Sequence, residues 1–252
     1  TIAEVVGDTY HTGLFEKASY LIIKDTEEEA PFGPKYLNKA ALATPVLAVD
    51  QAHKEVVRMG ELLGEQLQAT MPAIEKGDAA AIDALIEEHQ KLETLERAVR
   101  RFLAKVAQSG LPDRAAARER GLLYVTEHIE GAGHQLTDDV LKTVALTLQD
   151  GKPLHDEELA DQKRFHEKLV EKHERVMRAL KEGDHGLAER TLQLTFKENQ
   201  LLRKLREDYL QRISGGDEEA LKTSRVHLHM LNGFSLVGTK LDEVADEILH
   251  EW

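Results

Sequence analysis

The chain has 252 residues, with 46 Asp and Glu against 33 Lys and Arg, a formal charge of −13 with His neutral. Such a surface repels a nucleic-acid duplex. Aromatics at 5% and only 6 prolines speak for long helices over a sandwich or barrel. Cysteine is absent, which excludes disulfides, thiolate catalysis, thiolate zinc sites and iron–sulfur clusters, and suits a reducing cytoplasm.

No uncharged apolar run approaches the roughly 18–20 residues of a membrane span. The nearest, Leu14 to Ile23, is interrupted by Glu16 and Lys17. The chain opens at Thr1, as a processed product or a segment of a longer polypeptide would. Residues 1–45 read as an N-terminal arm, in which short apolar patches precede an acidic run, Glu27 to Glu29, and then Pro31, Gly33 and Pro34.

From Pro45 the apolar period becomes helical. A first helix to Lys76 carries Val49, Ala52, Val56, Met59, Leu63, Leu67 and Ile74 on one stripe, with Pro72 placed to kink its end. Gly77 and Asp78 stop it and cap the next. A second helix carries Ile82, Leu85, Ile86, Leu92, Leu95, Val99, Phe102 and Val106, and a third spans Arg114 to Leu148. After Asp150 to Pro153 the pattern restarts. A fourth helix, Asp156 to Lys181, ends at Glu182-Gly183-Asp184, which echoes Lys76-Gly77-Asp78 at an offset of 106 residues. The fifth repeats the second at that offset and breaks at Ser214 to Asp217. The sixth carries Val226, Met230, Phe234, Val237, Leu241, Val244 and Ile248, with Gly133 and Gly238 in equivalent places 105 residues apart. The expected fold is all-α: two tandem three-helix bundles, 46–150 and 151–252, made by internal duplication.

On the third helix Glu127, Glu130, His134 and Asp138 fall within about 80° of one another on a regular helical wheel, largely opposite the apolar arc. Spacings of three and four residues bring neighbouring side chains close enough to share a metal ion. The same stripe also reads as a solvated charged face. The sixth helix has a comparable stripe, Asn232, Ser235, Thr239, Asp242, Asp246 and His250, in which Asp242 and Asp246 are the only carboxylate pair. Among the 12 histidines, His89 sits on the apolar stripe of the second helix and reads as a half-buried packing residue. His227 and His229 point away from each other, and His166 and His173, two turns apart, are too distant to coordinate jointly. The di-iron pattern of Glu-x-x-His on two helices is matched only by Glu247/His250 near the C-terminus and Glu182/His185 in a turn. Phosphate-cradling glycine loops, the G-x-S-x-G elbow and H-E-x-x-H are all missing. These observations point to a binding module in place of an enzyme.

The stretch Lys35-Tyr-Leu-Asn, then Ala43-Thr-Pro-Val-Leu-Ala-Val-Asp-Gln-Ala and Glu55-Val-Val-Arg-Met-Gly60, resembles the entry into the PhoU family domain. Lys76-Gly-Asp78, Glu182-Gly-Asp184 and Ser224-Arg-Val-His-Leu-His-Met-Leu-Asn-Gly233 are similar to its recurrent segments. The resemblance covers about Tyr36 to Leu249 and is nearest to the PhoU-like cytoplasmic domain of bacterial sodium/phosphate cotransporters. It implies a regulator of phosphate transport or signalling that docks on the membrane component of a phosphate transporter or on a sensor kinase. It also implies a place on the cytoplasmic side of the inner membrane, with Thr1 to Pro34 as the connecting element; the helical repeats themselves favour self-association as a homodimer. Some PhoU proteins bind iron or zinc clusters through Glu-x-x-x-Asp pairs on the third helix of each repeat. The matching places here are Glu130 and His134, then Ser235 and Thr239, so only Glu130 keeps the residue type. A divalent or iron-type metal would fall to Glu127, Glu130, His134 and Asp138 in the first repeat, and to Asp242 and Asp246 in the second. Two rivals stand beside this reading: a metal-binding bundle with storage or hydrolytic activity, and a helical adaptor unrelated to phosphate.

Overall fold

A computed structural model of the protein describes residues 32–151, 154–216 and 218–251. Residues 1–31 of the expected arm lie outside the described residues, as do Lys152, Pro153 and Asp217 of the expected breaks. The described residues hold six long helices and no strand. These are α1 (Pro45–Lys76), α2 (Ala79–Val106), α3 (Asp113–Gln135, continued by a π-helical turn at Leu136–Leu141 and by Lys142–Gln149), α4 (Asp156–Glu182), α5 (His185–Ser214) and α6 (Glu218–Glu251).

Local chemistry sets the ends. Pro45 opens α1, where its missing N–H and fixed φ cost nothing. Gly77 closes that helix in the left-handed region at φ 60°, and Gly183 closes α4 at φ 66°, a conformation that side chains with a Cβ rarely adopt. The aspartate after each glycine caps the next helix: Asp78 accepts from the Ala81 N–H at 3.0 Å, and Asp184 from the Leu187 N–H at 2.9 Å. The duplicated turn is therefore duplicated in atomic detail. Helix α1 continues through Pro72 to Lys76. Before it, the Lys35 and Tyr36 N–H groups both donate to Glu55 Oε2, at 2.8 and 2.7 Å, which fastens the chain's entry onto α1.

Each of α1, α2 and α3 packs on the other two, and α4, α5 and α6 repeat that arrangement. The sets are joined where α1 meets α4 and where α3 runs against α6. Leu63, Leu67, Leu95, Val99, Leu122, Val125 and Ile129 fill the first core; Val176, Leu205, Phe234, Val237 and Leu241 fill the second. Burial of such side chains contributes roughly 1.5–3 kcal/mol each, far more than the helix propensity of any one residue.

The α1–α4 seam is stitched by histidines. His53 Nε2 lies 2.9 Å from Leu180 O, His166 Nε2 2.8 Å from Leu67 O, and His173 Nε2 2.9 Å from Gly60 O. A carbonyl only accepts, so each Nε2 carries the proton. Burial holds all three imidazoles below their ordinary pKa. Gly64 makes the close approach possible, because a Cβ there would lie 2.5 Å from the His173 ring.

Candidate metal centre and its counterpart in the second repeat

Helices α2 and α3 bring His89, Glu130 and His134 together, each offering a ligand atom within 4.8 Å of the others. His89 Nε2 lies 3.5 Å from Glu130 Oε1 and 3.8 Å from Glu93 Oε1. The His89 and His134 ring centroids are 6.0 Å apart. His89 is buried, yet neither of its ring nitrogens has a hydrogen-bond partner. A buried polar group is normally satisfied, so an imidazole left this way beside a carboxylate and a second imidazole fits a cation ligand. Gly133 leaves the room: a Cβ there would stand 3.0 Å from His89 Nδ1 and 2.6 Å from Leu92 Cδ1.

The electrostatics agree. Its contact with His89 holds the Glu130 carboxyl below the ordinary carboxylate value, with His134 and Arg100 helping and burial opposing. Nearby Glu96 is raised, first by burial and further by Glu130 and Glu127, although Arg100 partly offsets this. Glu130 and Glu93 beside His89, with His134 close by, make a cluster that attracts positive charge.

The structure separates the other sequence-predicted residues from this group. Glu127 is exposed one turn earlier on α3. Asp138 is also exposed and pairs with Lys142 Nζ at 2.8 Å. Asp138 lies inside the π-helical turn, whose extra residue per turn breaks the regular wheel on which it shared a face with Glu130 and His134. In the second repeat, Asp242 and Asp246 do not converge. Asp242 turns inward to Lys172 Nζ at 2.7 Å, whereas exposed Asp246 faces His250 Nδ1 at 3.6 Å. His89 is the member of this cluster that helical periodicity hides, because a histidine on an apolar stripe looks like packing.

Positions equivalent to His89, Glu130 and His134 are Thr195, Ser235 and Thr239, by the repeat offsets of 106 and 105 residues. Thr239 donates to Ser235 O within its own helix at 3.1 Å. The gap beside them, a cavity of about 40 Å³ bordered by Thr195, Glu198, Ser235 and Thr239, is lined also by the buried Lys172. Elsewhere α3 and α6 are cross-linked at the surface: His128 Nδ1 lies 2.8 Å from Glu243 Oε2, and His229 Nε2 lies 3.6 Å from Asp139 Oδ1.

No protein-family model matches the chain. Its sequence is 22% identical over 231 residues to YjbB of Salmonella typhimurium and 22% identical over 238 residues to YjbB of Escherichia coli K12, both provisionally named inorganic phosphate export proteins. Each alignment covers 91% of this chain and 42% of the relative, so the chain spans about two fifths of the length of the curated relatives it matches. Among solved structures, PhoU of Pseudomonas aeruginosa superposes with a TM-score of 0.68 at 11% identity, over 79% of this chain and 94% of that one. The phosphate transport system regulatory protein PhoU of Streptococcus pneumoniae gives 0.70 at 11% identity, over 81% and 94%. The chain is PhoU-like: its fold is that of the PhoU proteins, carried by a sequence that aligns along most of its length with one part of the YjbB proteins.

Proposed function

We propose that this chain is the regulatory module of a phosphate-exporting membrane protein, working by contact on the cytoplasmic side in place of catalysis. The observation that carries the reading is the coincidence of a PhoU fold with sequence relatives named for phosphate export. No helix among the described residues is long and apolar enough to cross a membrane, so the module would act on a membrane partner by docking. A docked module shifts its partner's equilibrium only through different contacts with the partner's two states. The α3–α6 face supplies candidates for those contacts, because Glu127, Asn232, Thr239 and Asp246 are exposed along it. The chain is to be purified from phosphate-rich and phosphate-starved cells and its companions identified. Recovery of the membrane part of a phosphate transporter is expected, with phosphate export altered when the module is deleted. Recovery of no transport or kinase component in either condition, with export unchanged by the deletion, overturns the reading.

A second reading rests on His89, whose two buried ring nitrogens lack a hydrogen-bond partner while Nε2 faces Glu130. His89, Glu130 and His134 would hold one divalent or iron-type ion, which two imidazoles and a carboxylate suit, and the ion would order the α2–α3 contact that the docking face borders. Protein purified without chelator should carry about one equivalent of iron, zinc or manganese. The His89→Ala and His134→Ala variants should each lose it. Metal-free wild-type protein, or unchanged content in His89→Ala, removes this second reading and leaves the docking proposal standing.

A further inference from the structure

We propose that in the second repeat the Lys172 ammonium is itself the resident cation, so that the chain carries an exchangeable ion in its first repeat only. The inference rests on the metal reading of His89, Glu130 and His134 for the contrast between repeats. The identity of the second cation is argued from the second site's own atoms.

Lys172 projects from α4 with its side chain 3% exposed. Its Nζ lies 2.6 Å from Glu198 Oε2 on α5 and 2.7 Å from Asp242 Oδ1 on α6, with Thr195 Oγ1 at 3.3 Å and the Gly238 carbonyl at 3.5 Å. Four oxygens from two helices, α5 and α6, surround one positive point on α4. Thr195 also donates to Asp242 Oδ1 at 2.8 Å, and Arg175 Nη2 reaches Glu198 Oε1 at 3.2 Å. Two carboxylates therefore face two cationic side chains. A divalent ion entering this arrangement would meet occupied donors and a fixed positive charge.

The first repeat shows the same position without the charge. Gln66 is the repeat equivalent of Lys172, and Thr137 that of Asp242. Gln66 Nε2 donates to Thr137 Oγ1 at 3.2 Å and to Leu85 O at 2.8 Å. One reach from the first helix of a repeat toward its third is thus made by a neutral amide in one half and by an ammonium in the other. The glycines agree: a Cβ on Gly133 would meet His89 Nδ1, and one on Gly238 would approach Lys172 Nζ at 3.9 Å. The oxygens that grip Lys172 belong to the hard donor class that binds Mg²⁺, Ca²⁺ and Mn²⁺. Removal of the ammonium leaves Asp242 without a cation and Glu198 with Arg175 alone.

The test is a titration with Mn²⁺ alone, followed by the resonance signal of the free aqua ion, in His89→Ala and in the His89→Ala/Lys172→Met double variant. The His89→Ala background silences the first site, so the second is read independently of it. The double variant is expected to bind one equivalent of Mn²⁺ more than its parent, and Lys172→Arg in the same background is expected to gain none. No gain in the Met variant, or an equal gain in the Arg variant, overturns the proposal. If Lys172→Met does not fold, Asp242→Asn in the otherwise wild-type chain decides. An unchanged Mn²⁺ count supports a tethered ammonium, and the loss of one equivalent shows Asp242 to be a metal ligand and overturns it. Failure of the first-site reading appears separately, as an unchanged metal content in His89→Ala.

Discussion

The two repeats share a skeleton and differ in what they bury. At the end of each bundle, Val56, Leu103 and Leu122 of the first repeat correspond to Gln162, Tyr209 and His227 of the second, and all six are fully buried. The first set is a plain apolar cluster. The second is a polar network: Gln162 Nε2 lies 3.2 Å from His227 Nδ1 and donates to His227 O at 2.9 Å, the Tyr209 ring stacks on His227 at 4.0 Å, and the Thr223 hydroxyl donates to Glu158. Burial, with Glu158 close by, pushes the Tyr209 hydroxyl up to about 12. The difference teaches that duplication here conserved the backbone devices, namely the glycine stops, the aspartate caps and the helix pairings. The chemistry inside diverged from apolar to polar, with most but not all of the new polar atoms finding partners.

The sharpest way to break the equivalence is at positions 66 and 172. Replacing Lys172 by Met without added metal strands Asp242 in a partly buried gap and leaves Glu198 to Arg175 alone. The expected loss is about 3 kcal/mol, toward the lower end for one missing partner of a buried ion pair because both carboxylates keep some water. Gln66→Met removes only neutral hydrogen bonds and should cost about 1 kcal/mol. Urea unfolding of the two variants in chelator measures both. Equal losses would mean that the charge at position 172 is not what the second repeat depends on.

A pH series sharpens the same comparison, at a smaller effect. Burial, helped by Arg212, holds His227 down at about 4, whereas the unfolded chain titrates near 6.5. Below pH 6.5 the unfolded state binds the proton first, so stability falls as pH falls, and the loss is complete once pH passes below about 4. Between pH 8 and pH 5 this one group removes about 2 kcal/mol. His227→Leu restores the first repeat's residue type and discards a ring nitrogen that has no partner. It should sit within about 1 kcal/mol of wild type at pH 8 and exceed it at pH 5. His53, His128, His166 and His173, whose values burial also lowers, add acid sensitivity in the same direction. A variant with the wild-type pH profile would show that His227 does not titrate in this way.

The fold was legible because its signals are local. Apolar stripes and the two glycine–aspartate turns are each set within a few turns of helix, the same local signals recur 106 residues on, and the six helices follow them closely. The candidate site was legible by halves. Glu130 and His134 are four residues apart on one helix, so periodicity finds them; His89 comes from another helix and joins them only through the α2–α3 packing angle. Asp138 misled because nothing in Leu136–Leu141 announces a π-helical turn. Lys172 did leave a trace, as a lone charge between Leu169 and Val176 on a buried stripe. Its meaning depended on Glu198 and Asp242 arriving from two later helices.

The smallest expected effect tests the conserved side of the comparison. Asp78 and Asp184 each sit at the N-cap of a second helix and each accept from the amide three residues on, at 3.0 and 2.9 Å. Losing such a cap costs about 1 kcal/mol, while Asn in its place keeps the hydrogen bond and gives up only the favourable charge at the helix start. Asp78→Ala and Asp184→Ala should therefore lower the unfolding free energy by similar amounts, and the two Asn variants should retain most of it. The Leu187 amide is the better shielded of the two, which places any inequality on the side of Asp184. If instead Asp78→Ala proved much the more damaging, the two turns would be alike in shape but not in energy, and the conserved skeleton would itself have diverged.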